Sequence, residues 1–67
     1  MAKKYRDVKR ALRTAGWEGL RTAGSHEIWT HPDGRLVVIA GGGRDNLEVP
    51  VGTLAKIRKR TGLEELR

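Results

Sequence analysis

The residues best suited to chemistry sit in the middle of the chain. They are Gly24-Ser25-His26, Arg21 just before it, and His31 and Arg35 flanking a Pro32-Asp33-Gly34 turn. An imidazole titrates near pH ~6.5, so His26 can act as general base or acid at neutral pH. Fourteen lysines and arginines against eight acids point to a polyanion such as nucleic acid, and RNA would bring its own nucleophile, the 2′-hydroxyl. A base that removes that proton lets the oxygen attack the adjacent phosphorus. The products are a 2′,3′-cyclic phosphate and a 5′-hydroxyl, with no metal or cofactor required. A positioned base contributes about 10²–10⁴-fold, so cations must stabilise the charged phosphorane as well. Arg21 and Arg35 are expected near His26, the first in sequence and the second through a hairpin. Ser25 can orient the imidazole or donate to a phosphate oxygen, and Gly24 lets an RNA backbone approach closely.

The same histidine has a second reading, as a turn or strand residue held by a structural hydrogen bond. His31, beside Pro32, reads as structural or solvent-exposed. It lies about 17 Å along a strand from His26, at roughly 3.3 Å per residue, and by parity on the other face. That argues against a two-histidine mechanism and leaves water or His26 itself as the acid.

The whole chain bounds what such a site can be. Sixty-seven residues make a single domain, 1–67. A chain this short buries only about 60% of its unfolded surface, leaving no room for a deep cavity. A shallow site suits a polymer or a partner surface. There is no cysteine, which excludes disulfides, thiol nucleophiles and cysteine-based zinc sites and favours the cytoplasm. No apolar run is long enough to span a membrane, and no signal-peptide core follows Met1-Ala2-Lys3-Lys4. The net charge of +6 serves solubility, and it also points to a polyanion, with nucleic acid first.

Periodicity supplies the elements that must position these residues. Over 4–15, Tyr5, Val8, Leu12 and Ala15 form the apolar face of a helix, and Arg6, Lys9, Arg10 and Arg13 form a basic stripe opposite. Gly16 ends that helix, and Trp17 can contact Leu12. Residues 17–22 read as a strand with a bulge at Gly19. Residues 26–31 and 35–40 read as strands joined at Pro32-Asp33-Gly34 in a hairpin. Ile28 is expected to face the helices. Parity would then aim His26 toward the core, unless it lies at the rim of the sheet. Residues 41–46, with three successive glycines, read as a connecting loop. A last helix from Gly52-Thr53 to Thr61, with Thr53 as its cap, turns Leu54, Ile57 and Thr61 inward and carries Lys56, Lys59 and Arg60 on another face. The tail from Glu64 to Arg67 is expected to extend or fray. Each basic stripe can meet phosphates or simply be solvated. Trp17 reads as core. Trp29 can pack inside, stack on a base or meet a partner, and in a chain with so few aromatics the core reading is favoured.

The order helix, three strands, helix predicts an α+β fold, a three-stranded antiparallel sheet with two helices on one face. It resembles the double-stranded-RNA-binding fold. The chain also resembles the HicA-type mRNA interferase toxins of bacterial toxin–antitoxin pairs. The resemblance is carried by Ala15-Gly16-Trp17, by Arg21 before Gly24-Ser25-His26, by His31-Pro32-Asp33-Gly34-Arg35, and by Gly52-Thr53-Leu54 opening a helix that closes at Gly62-Leu63. It implies a metal-independent endoribonuclease with His26 as catalytic residue, acting on mRNA in the cytoplasm. It also implies neutralisation by a HicB-type antitoxin encoded beside it. The toxin is expected to be monomeric when alone and to have no membrane partner. Where the family often carries a polar, histidine-containing loop, this chain has Ala40-Gly41-Gly42-Gly43. On this reading RNA is bound by Arg6, Lys9, Arg10, Arg13, Arg21, Arg35, Lys56, Lys59 and Arg60, with Gly24 and Ser25 supporting His26. A non-catalytic RNA-binding module is the alternative. A domain whose basic faces meet an acidic protein partner is a third reading.

Overall fold

A computed structural model describes residues 3–40 and 45–66. Helix α1 (Tyr5–Thr14) leads into β1 (Glu18–Ala23), β2 (His26–Thr30) and β3 (Leu36–Ala40), and α2 (Val51–Thr61) follows. The three strands make one antiparallel sheet in the order β1-β2-β3, with β2 in the centre. The fold is therefore the expected α-β-β-β-α. Tyr5, Val8 and Leu12 of α1 and Leu54 and Ile57 of α2 share a single buried cluster with Trp29, Val37 and Ile39 of the sheet.

That cluster bears out Trp29 as core and corrects the expectation that Ile28 faces the helices. Trp29 is the core residue of β2, at 5% exposure, and Ile28 is on the opposite face. The indole takes the inward position because it buries far more apolar area than the isoleucine. Gly19 of β1 packs directly against it: a Cβ added there would stand 3.6 Å from the Trp29 ring, an ordinary van der Waals contact. The pairing of β1 with β2 slips between Gly19 and Arg21, which is the bulge expected at that glycine.

Turn chemistry fixes the ends of the elements. Trp17 donates its backbone N–H to the Leu12 carbonyl at 2.9 Å, across Gly16 at φ +92°, and its side chain enters the core. Helix α2 begins at Val51, and its N-cap is Pro50, three residues before the expected cap Thr53, which sits inside the first turn. The tail docks instead of fraying. Leu66 is 1% exposed, and its carbonyl accepts from Arg58 Nη1 at 3.1 Å. Residues 41–44 of the glycine-rich loop lie outside the described residues. The segment after it runs beside the chain's start, where Val49 donates to the Lys3 carbonyl at 2.8 Å and Tyr5 donates to that of Leu47 at 3.0 Å.

Candidate active site

Gly24 and Ser25 form the two-residue connection between β1 and β2. Gly24 has φ +63° and takes the first central position, where a type II′ hairpin turn requires a glycine. The turn delivers His26 as the first residue of β2, opposite Ala23 on one side and Ala40 on the other. Directly opposed residues share a face, so His26 stands with Ile28 on the side of the sheet away from the helices. It is exposed. Among the described residues its imidazole makes no hydrogen bond to the protein. Two alanines beside it leave the ring unshielded. Their contribution was not legible in the sequence, because small neighbours become a signal only once the strand register is known.

Arg21 is opposite Ile28. It is therefore the diagonal neighbour of His26 on the same face, roughly 7–8 Å away in backbone terms and within reach of a long side chain. Ser25 and Gly24 are exposed at the turn, and nothing lies within 4 Å of a Cβ built on Gly24.

Arg35 is not near His26. It precedes Leu36, which is opposite Thr30, whereas His26 is opposite Ala40. That separation is about 16 Å along the strand. Arg35 instead locks the fold. Its Nε donates to Asp33 at 2.8 Å, its Nη1 donates to the Thr61 carbonyl at the end of α2 at 3.1 Å, and its guanidinium stacks 5.2 Å from the Trp17 ring centre. His31 is structural too. Its Nε2 donates to the Ala15 carbonyl at 3.1 Å, its Nδ1 accepts the Asp33 backbone N–H at 3.2 Å, and its ring is 5.2 Å from that of Trp17.

The family of HicA toxins of bacterial toxin–antitoxin pairs matches residues 5–63. The chain belongs to that family. No individual curated protein matches it. The match takes in both helices and the whole sheet, and it implies a cognate antitoxin.

In this HicA toxin the basic stripe of α1 is divided. Lys9 is buried at 7% exposure, and its Nζ lies 2.6 Å from both Glu27 Oε2 and Asp45 Oδ1. Glu27 also accepts from the Trp29 indole at 3.1 Å. Lys9 therefore joins α1 to β2 and to the end of the glycine-rich loop, and it is not available to RNA. Burial pulls its pKa down, but hydrogen bonds to Asp45 and Glu27 outweigh that and hold it above the ordinary lysine value. The Lys9 hydrogen bond and charge hold the Asp45 carboxyl below its own. Arg6, Arg10 and Arg13 remain exposed. Arg6 contacts Asn46 at 3.3 Å and Arg13 lies 5.6 Å from the Trp29 ring centre. All three belong to the helix layer, away from the face that carries His26.

The toxin's α2 cations are placed differently. Lys56, Lys59 and Arg60 are exposed, and with Thr53 they line a groove of about 790 Å³ whose other wall is Val38 and Ala40 of β3. Ala40 is the residue opposite His26, so this basic groove reaches the open face at the catalytic candidate. No helix among the described residues is long and apolar enough to cross a membrane.

Proposed function

We propose that this HicA-family chain is a metal-independent endoribonuclease that cleaves mRNA in the cytoplasm, with His26 as its catalytic residue. One observation carries the reading: the histidine of Gly24-Ser25-His26 stands exposed on the open face, next to Arg21 and with no hydrogen bond to its imidazole among the described residues, while His31 is tied into the fold.

His26 takes the proton of the 2′-hydroxyl as that oxygen attacks phosphorus. Arg21 offsets the charge of the phosphorane. The bond to the 5′-oxygen breaks, and the proton returns to it from the imidazolium or from water. The strand ends in a 2′,3′-cyclic phosphate, and a 5′-hydroxyl leaves. Gly24 gives the RNA backbone room, and Ser25 is placed to donate to a phosphate oxygen. Lys56, Lys59 and Arg60 bind phosphates flanking the cut. Arg6, Arg10 and Arg13 reach only RNA that passes round the sheet into the helix layer. No cofactor takes part. The partner that holds the toxin inactive is a HicB-type antitoxin, and the free toxin is a monomer.

End-group analysis of RNA treated with purified toxin tests this reading. A cyclic phosphate, a new 5′-hydroxyl and no loss of cleavage in EDTA are expected. RNA that is bound but never shortened would favour a non-catalytic RNA-binding module instead.

A further inference from the structure

We propose that the groove along the outer edge of β3 receives an extended acidic segment of the cognate antitoxin, which adds to the sheet as a fourth strand. The proposal rests on the toxin reading only for the partner's identity.

The hairpin fixes which backbone groups face the groove. His31 donates to the Arg35 carbonyl at 3.0 Å, and Gly34 donates to that of His31 at 2.9 Å. In an antiparallel ladder, bonded and non-bonded pairs alternate. Given the register from Thr30–Leu36 to His26–Ala40, Val37 and Ile39 bond to β2. Leu36, Val38 and Ala40 turn their N–H and C=O groups outward. Among the described residues no further strand pairs with them.

The two edges of the sheet differ. The pairing of β1 is broken at Gly19–Arg21, a common guard against edge pairing. Strand β3 has no bulge, proline or charge, and such an edge is a template for another strand. Leu36 and Val38 are 45% and 47% exposed, and Lys56, Lys59 and Arg60 line the far wall of the groove.

These features select the occupant. A second copy of the chain would bring its own Lys56, Lys59 and Arg60 against these. RNA can use the cations, but its phosphates would face the outward carbonyls of β3, and among the described residues no aromatic lines the groove for base stacking. An extended peptide supplies donors and acceptors in alternation, and acidic side chains on it meet the lysines.

The test is backbone amide exchange on His26→Ala toxin, free and in complex with the HicB-type antitoxin encoded beside it. The amides of Leu36, Val38 and Ala40 should exchange far more slowly in the complex, with cross-strand contacts to antitoxin backbone protons. Exchange at the free rate in a formed complex overturns the proposal. The same protection from RNA alone, or from concentrated toxin alone, also overturns it, in favour of an RNA track or a dimer edge. Val38→Pro removes one outward N–H and no ladder bond, and antitoxin affinity should fall about tenfold or more. Wild-type toxin that never cleaves RNA contradicts the nuclease reading and leaves the amide test standing. A toxin that forms no complex with the antitoxin contradicts the proposal itself.

Discussion

Lys9 Nζ and Glu27 Oε2 lie 2.6 Å apart, and through this contact α1 grips the strand that begins at His26. Removing the ammonium leaves the Glu27 carboxylate half-buried, with the Trp29 indole still donating to it but the Lys9 ion pair lost. Lys9→Ala should therefore cost about 3 kcal/mol of stability, measured by urea unfolding. If Lys9 were a phosphate contact, the salt dependence of RNA binding would change by about one unit of slope. No change in slope is expected for the folded variant.

The same cluster sets a pH window. Asp45 titrates below its ordinary range in the folded chain. Its contribution is present above the unfolded carboxylate value of about 4 and is lost as pH falls through the lower folded value. Asp33, held low first by the Arg35 backbone N–H and then by its guanidinium, adds to the same acid limb. Lys9 titrates above its ordinary value. Its contribution is full below the unfolded value of about 10.4 and is lost as pH rises through the higher folded value. Stability should be level between these limits and fall on both sides. Asp45→Asn should flatten part of the acid limb, which thermal melts across pH will show.

Arg21 and Arg35 look equivalent in the sequence and separate in the structure. Arg21→Ala should lower cleavage about 10²-fold and leave stability within about 0.5 kcal/mol. Arg35→Ala should lower stability by about 1–2 kcal/mol and leave the cleavage rate of the folded protein unchanged. Paired melting and cleavage measurements on the two variants check the assignment.

Most of the fold was legible because local signals agreed with the final packing. Gly16 and Gly62 mark helix ends, the Pro32-Asp33-Gly34 turn sets the hairpin, and Gly19 marks a bulge that the sheet contains. What the sequence hid depends on partners distant in the chain. Nothing local says that Lys9 meets Glu27 and Asp45, so its helical spacing places it with Arg6, Arg10 and Arg13. Ile28 and Trp29 are both β-favouring, and only the three-dimensional core decides which one points inward. That decision carries His26 with it. With Trp29 inside, His26 reaches solvent by parity and needs no escape at the sheet rim. Leu66 was missed because a single leucine in a charged tail has no periodicity to announce it.

Gly24 holds φ +63°, a region that costs a residue with a Cβ about 1–2 kcal/mol. Gly24→Ala should lose that much stability or shift the turn. If the turn shifts, His26 is displaced from Arg21 and cleavage should fall by more than the folded fraction does; if it holds, cleavage should follow the folded fraction. Circular dichroism and a cleavage assay on the same sample separate the two effects.

The most direct measurement is the single-turnover rate of RNA cleavage by purified wild-type toxin and by His26→Ala, with the fold of both confirmed. The account predicts that the variant loses about 10²–10⁴-fold in rate and keeps its melting temperature and its affinity for RNA. A folded His26→Ala toxin that cuts RNA at the wild-type rate would contradict it.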